Sequence, residues 1–414
     1  MSQTPPTGLP GMAEVARLTR AGRLTEATGL VQRLLRGEHA AAPTTAPVPT
    51  VLEGEFERLD SSPQPISQGD AQPADGPGKG AGRGQKTGLV RTGLGETLRD
   101  LAARLRAMGG RAGGTGALRP AADPLPDGAS FVTDSYSGAA GTRTYKLYVP
   151  ANRGDGLRPL VVMLHGCTQS PDDFAAGSRM NAFAERHGIL VAYPEQPASA
   201  NAQRCWNWFN PEDQRRDRGE PELLAGITRR IMRDHPVDPD RVYIAGLSAG
   251  GAAAAIMGTA YPDLYAAVGV HSGLPAGAAH DLPSALAAMR QGSGSRPDGA
   301  RATRPMPTII FHGDRDAVVH PNNGDRVAAQ ATAIATGLRT EVQQGAAPGR
   351  RAHSRTLHTD SSGRTLCEHW TIHGAGHAWA GGSPAGSYTD PQGPDATAEM
   401  MRFFLEHRLP ATPV

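Results

Sequence analysis

The stretch Arg241-Val242-Tyr243-Ile244-Ala245-Gly246-Leu247-Ser248-Ala249-Gly250-Gly251 changes its local preference twice within a short span. Val242, Tyr243 and Ile244 are β-branched or aromatic and read as a strand. Gly246 to Gly250 make a Gly-x-Ser-x-Gly turn, and the alanine-rich run from Ala252 to Met257 reads as a helix. A hydroxyl presented on so sharp a strand-to-helix turn needs small neighbours, because a larger side chain would collide with the adjoining backbone. The five-residue pattern is common by chance. Its setting, with a strand before and a helix after, makes Ser248 a candidate nucleophile rather than an ordinary turn serine.

Further strands are expected on both sides of this segment. Phe131 to Tyr136 and Arg143 to Val149 read as a pair, and Leu160 to Leu164, Ile189 to Tyr193, Ala266 to Val270, Thr308 to Phe311 and Glu368 to Ile372 follow at helix-length intervals. Such alternation implies a mostly parallel sheet covered by helices on both faces. With the serine turn in its middle, residues 126–410 are expected to form an α/β-hydrolase domain. Before it, residues 1–37 read as a short helical segment with apolar positions such as Val15, Leu18, Leu30 and Leu34. Residues 38–88 are rich in Pro, Gly, Ala, Ser and Gln and read as a disordered linker. Within 89–125, Leu94, Leu98, Leu101, Leu105 and Met108 repeat on one helical face up to Gly109-Gly110.

A serine hydroxyl is a weak nucleophile near neutral pH, so it needs a base, and the base needs an acid to orient it. After such a turn the acid precedes the histidine along the chain. Pro307 to Val319 runs from an apolar strand into a loop with two aspartates. Asp316 lies further out and is taken as the acid, while Asp314 is better placed to bond the turn itself. His377, on the glycine-flanked loop Gly374-Ala375-Gly376-His377-Ala378-Trp379, is taken as the base, with His373 as the other candidate. An oxyanion needs convergent backbone donors. Ala249 follows the nucleophile, and Leu160 to Leu164 leads into His165-Gly166-Cys167, so the amides of Ala249 and Cys167 are the expected pair. Trp206, Trp208 and Trp379 are candidates to line an apolar substrate cleft, or are core aromatics. A Cys167–Cys205 disulfide would clamp the aromatic loop beside the oxyanion site, but a reducing compartment does not favour it, and the sequence leaves it open.

Composition excludes several classes. The formal net charge is +2, and the basic residues are nearly all scattered arginines, which gives no clustered face for nucleic acid. The 3 cysteines, Cys167, Cys205 and Cys367, are too few and too dispersed for a zinc cluster. No phosphate-cradling loop stands out, so neither cofactor nor metal is expected. No apolar run approaches a membrane span. Residues 1–10 show neither a basic nor an apolar leader region, from which a cytoplasmic location is expected, with an extracellular one as the alternative.

Five blocks, in order, resemble the short-chain polyhydroxyalkanoate (polyhydroxybutyrate) depolymerases and related esterases. They are Leu164-His165-Gly166-Cys167-Thr168-Gln169, Cys205-Trp206-Asn207-Trp208, Gly246-Leu247-Ser248-Ala249-Gly250-Gly251, His312-Gly313-Asp314-Arg315-Asp316 with Pro321-Asn322-Asn323-Gly324, and Gly376-His377-Ala378-Trp379. The resemblance covers the catalytic domain and not residues 1–125. It implies a Ser248–His377–Asp316 triad, oxyanion donation from Cys167 and Ala249, and hydrolysis of 3-hydroxyalkanoate polyester or its oligomers, with storage granules as the expected setting. Two other readings compete. One is a carbohydrate esterase of feruloyl or acetylxylan type. The other is a granule-binding protein without activity, held to granules or to itself through the helices at 12–36 and 94–108.

Overall fold

Val237–Leu247, the strand that delivers Ser248, lies in the interior of a ten-stranded sheet. The computed structural model describes residues 124–152, 154, 156–294 and 304–410. A hairpin comes first, β1 (Ser130–Gly138) and β2 (Gly141–Val149), then β3 (Arg158–Leu164), α1 (Pro171–Ser178), α2 (Met180–His187) and β4 (Leu190–Pro194). Next are α3 (Gly219–Asp234), β5 (Val237–Leu247), α4 (Ala249–Ala260), β6 (Ala267–His271), α5 (Leu282–Gln291), β7 (Thr308–Gly313) and α6 (Asn322–Thr332). The domain closes with β8 (Arg339–Gly345), β9 (His353–Thr359), β10 (Thr365–Ile372), the short β11 (Trp379–Ala380) and β12 (Thr389–Asp390), and α7 (Ala396–Leu405).

The sheet order is β1-β2-β4-β3-β5-β6-β7-β10-β9-β8. From β4 to β10 neighbouring strands are parallel, while β1–β2 and β8–β9 add antiparallel flanks. β4, β6 and β7 are buried at every position and β3 at all but its first, as strands covered on both faces must be. Each strand read from the sequence is present. β8 and β9 were not foreseen. Arg339 to Gly345 is polar and almost wholly exposed, so neither an apolar run nor a clean alternation marks it. The helical segment expected within 1–37, the linker over 38–88 and the amphipathic helix at 94–108 lie outside the described residues.

The chain leaves β3 toward β4 on one side and later returns to β5 on the other, so the strand order reverses between β3 and β5. In open parallel sheets the crevice beyond the carboxyl ends of strands at such a reversal gathers ligands. Leu164, Leu247, His271, Gly313 and Ile372 end parallel strands along that one edge, and the loops after them carry every candidate site residue except those of the 196–220 region.

Candidate active site

Ser248 caps α4 with φ 58° and ψ −120°, a backbone conformation that residues with a side chain rarely adopt. The packing beneath it explains the glycines. A Cβ on Gly246 would stand 2.3 Å from the Gly250 backbone, and one on Gly250 would stand 2.1 Å from the Leu164 carbonyl oxygen. α4 is thus pressed against the end of β3, and only glycine fits at either place. The Ser248 N–H donates to the His271 carbonyl at 2.9 Å, which fastens the turn to β6. The first amides of a helix find no acceptor within it, which leaves that of Ala249 uncommitted.

The loops after β7 and β10 bring Asp316 and His377 together. His377 Nδ1 lies 2.7 Å from Asp316 Oδ2, and both residues are buried. The other carboxylate oxygen, Oδ1, accepts the N–H groups of Val318 and Val319, each at 2.9 Å. Burial alone would push the Asp316 carboxyl up. The charge of His377 and hydrogen bonds from His312 and His377 outweigh it and hold the group well below the ordinary carboxylate range. Asp314 takes a different part: it accepts the Gly374 N–H at 2.7 Å and lies 3.0 Å from His373 Nδ1, closing the turn between the same two loops. His373 is exposed and is not brought to Asp316.

The loop after β3 runs beside the serine, because a Cβ on Gly166 would stand 3.6 Å from Ser248 Cβ. Gly166 N–H donates to Gln169 Oε1 at 2.8 Å, and Thr168 N–H donates to the Gln203 carbonyl at 2.7 Å. Between them the Cys167 amide meets no acceptor among the described residues. Cys167 and Cys205 are joined by a disulfide, which settles the pairing the sequence left open. Two tryptophans expected at a substrate cleft are corrected to core residues. Trp206 is fully buried and donates its indole N–H to the His165 carbonyl at 3.1 Å. Trp379 is also buried, bonds Thr397 Oγ1 at 3.1 Å and stacks on His271 at 5.0 Å. A buried indole N–H must find an acceptor, and Trp379 finds its own on α7 while Trp206 props the backbone of the loop after β3 from beneath, so that neither ring is open to a cleft. Trp208 is 6% exposed and stands edge-on to Phe209.

Sequence reasoning missed the polar residues that hold these loops. His165 Nε2 accepts the Gln196 N–H at 3.1 Å, so its proton is on Nδ1, facing the Gly166 carbonyl at 2.8 Å. Burial pushes this imidazole down to about 4, which keeps it neutral. His271 Nε2 accepts the Ala380 N–H at 3.0 Å, three residues past His377, while its own carbonyl holds Ser248. Burial, reinforced by His312 and His377, pushes the His271 ring down to about 3. His312 Nε2 lies 2.9 Å from the Val319 carbonyl and 3.5 Å from Asp316 Oδ2. The available signal was positional: each histidine stands at or next to the carboxyl end of an apolar strand. Among the described residues no group of His, Cys, Asp and Glu is arranged to hold a metal ion, and no helix is long and apolar enough to cross a membrane.

Residues 143–353 match the family model described as Esterase PHB depolymerase. Poly(3-hydroxyalkanoate) depolymerase C of Paucimonas lemoignei is 34% identical over 239 residues, which are 55% of this chain and 56% of that protein. Acetylxylan esterase A of Emericella nidulans is 29% identical over 219 residues, 49% of this chain and 70% of that protein. The chain thus spans little more than half the length of the depolymerase it matches. An acetyl xylan esterase structure from Aspergillus awamori aligns with a TM-score of 0.54 at 20% identity, covering 67% of this chain and 99% of that one. At that identity the likeness speaks to the fold alone, which is the α/β-hydrolase fold.

Proposed function

The chain belongs to the Esterase PHB depolymerase family, and from that premise we propose that it hydrolyses carboxylic esters through Ser248, with poly(3-hydroxybutyrate) or short 3-hydroxyalkanoate oligomers as substrate. The observation that carries the reading is the strained Ser248 turn, with the uncommitted amides of Ala249 and Cys167 beside it. His377, oriented through Nδ1 by Asp316, takes the Ser248 proton on Nε2 while Oγ attacks the ester carbonyl carbon. The carbonyl oxygen becomes an oxyanion and receives the N–H groups of Cys167 and Ala249. As the ester C–O bond breaks, His377 returns the proton to the leaving alcohol. Water then gives a proton to His377 and attacks the acyl-serine, and the acid departs as Ser248 recovers its hydrogen.

Similarity to poly(3-hydroxyalkanoate) depolymerase C supports a hydroxyalkanoate ester. Similarity to acetylxylan esterase A favours a second reading, deacetylation of polysaccharide. Parallel assays on amorphous poly(3-hydroxybutyrate), acetylated xylan and methyl ferulate separate them. Release of hydroxybutyrate oligomers with no acetate from xylan is expected; the reverse would overturn the first choice. The disulfide persists best in an oxidising compartment, so it supports the extracellular alternative over the cytoplasmic one. Fractionation of a producing culture tests that placement.

A further inference from the structure

Glu220, on the first turn of α3, is a sealed carboxylate that the mechanism above does not use. Its Oε2 accepts the Asn207 N–H at 2.8 Å, and its Oε1 accepts Asn207 Nδ2 at 2.8 Å together with Gln196 Nε2. Both partners reach the oxyanion loop. Gln196 donates its backbone N–H to His165 Nε2 and its side-chain amide to the Cys205 carbonyl, at 3.1 and 2.9 Å. Cys205 is bonded through sulfur to Cys167, and Trp206, between Cys205 and Asn207, donates to the His165 carbonyl. Gln196 and the Cys205–Asn207 segment, which hold His165-Gly166-Cys167 from this side beside the Thr168–Gln203 bond, are therefore both fastened to one carboxylate.

On the proposed function, from which this step proceeds, we infer that Glu220 is a positioning residue that holds the Cys167 amide at the oxyanion site through Gln196, Asn207 and the disulfide. The ionised carboxylate accepts from every N–H donor around it with both oxygens, whereas a protonated one must place an O–H among those donors and holds them less firmly. The charged groups facing it are Asp213, whose Oδ1 accepts the Glu220 N–H at 2.8 Å, and the buried Arg143 of β2. Desolvation, then the charge of Asp213, pushes the Glu220 carboxyl up to about 7, against the pull of its amide partners and Arg143. The tie is thus expected to loosen as pH falls through neutrality.

The sign of the stability effect separates positioning from simple support. Between the ordinary value of 4.5 and about 7 the folded protein binds the Glu220 proton and the unfolded chain does not, so stability falls as pH rises through that window. Replacing the carboxylate with a neutral amide removes that cost. Against that gain, the amide NH2 faces an N–H donor that the carboxylate accepted. Glu220→Gln is therefore expected to stay folded with a melting temperature within a few degrees of wild type at pH 8 while losing about 10- to 100-fold in kcat on p-nitrophenyl butyrate, with KM little changed. Affinity for phenylboronic acid, whose serine adduct is tetrahedral, falls with kcat. The limb that Glu220 contributes to the kcat–pH profile near 7 disappears in Glu220→Gln and moves to lower pH in Asp213→Asn, which lifts the repulsion yet keeps an acceptor for the Glu220 N–H. A folded Glu220→Gln with wild-type kcat and boronate affinity would overturn the inference, as would a profile unmoved by Asp213→Asn should the first variant not fold. Hydrolysis that survives Ser248→Ala would instead overturn the proposed function itself.

Discussion

Two histidine–aspartate pairs bridge the same two loops, those that follow β7 and β10. The outer pair, His373 with Asp314, is partly open to solvent, with side chains 42% and 36% exposed, and His373 Nε2 lies 2.8 Å from the Ser354 hydroxyl. The inner pair, His377 with Asp316, is sealed at 2% and 0%. By residue type the outer set is a complete serine–histidine–aspartate array. It lacks what surrounds the inner one. Ser354 sits in the antiparallel ladder of β9 between β8 and β10, where backbone amides are spent on neighbouring strands. Ser248 stands on a left-handed backbone at a helix start, with amides free to meet a developing negative charge. On the proposed function, the outer array is a hydrogen-bonded surface decoration, and donors for the oxyanion are what would set the inner one apart.

The widest test of this contrast is Ser248→Ala, expected to cut ester hydrolysis by about 10⁴-fold or more. Ser354→Ala should leave kcat unchanged, and a comparable loss there would break the contrast. Asp316→Asn is next, with an expected fall in kcat of about 10⁴-fold because the imidazole loses its orienting partner. Asp314→Asn should instead lower the melting temperature by only a few degrees at unchanged kcat, since it weakens a turn closure. Gly250→Ala probes the floor under the inner serine: its methyl would press on the Leu164 and His165 carbonyls, for an expected loss of about 1–3 kcal/mol in urea unfolding. The smallest effect is on acid stability. The Asp316 carboxyl sits below its ordinary value of 3.8, so its contribution is complete above that pH and is lost as pH falls further. Wild type should therefore lose stability more steeply below about pH 4 than Asp316→Asn does.

The contrast also shows what a sequence can disclose. Ser248 was legible because a strained turn leaves a mark: Gly246 and Gly250 are where backbones touch. Asp316 and His377 were legible because chain order and strand ends confine them to two loops. The parallel strands were legible because burial on both faces demands unbroken apolar runs, such as Leu160 to Leu164. β8 and β9 left no such mark, since a mostly polar ribbon looks like loop. Trp206 and Trp379 misled because an indole suits a cleft and a core equally, and only the acceptor of its N–H decides. Glu220, Gln196 and Asn207 were invisible as a group, because nothing in their spacing says that the connection from β4 folds back to bring two of its amides to one carboxylate on α3.

His271 ties the Ser248 turn to the chain just past His377. Its carbonyl holds the Ser248 amide, its ring nitrogen holds Ala380 just beyond His377, and Phe311 and Trp379 flank the ring at 5.7 and 5.0 Å. An aromatic ring neither stretches nor bends, and burial keeps this one uncharged at neutral pH. It works as a coupling: one residue at the end of β6 is bonded through its backbone to the serine turn and through its ring to the segment after His377, so that a shift of the strand end would carry both together.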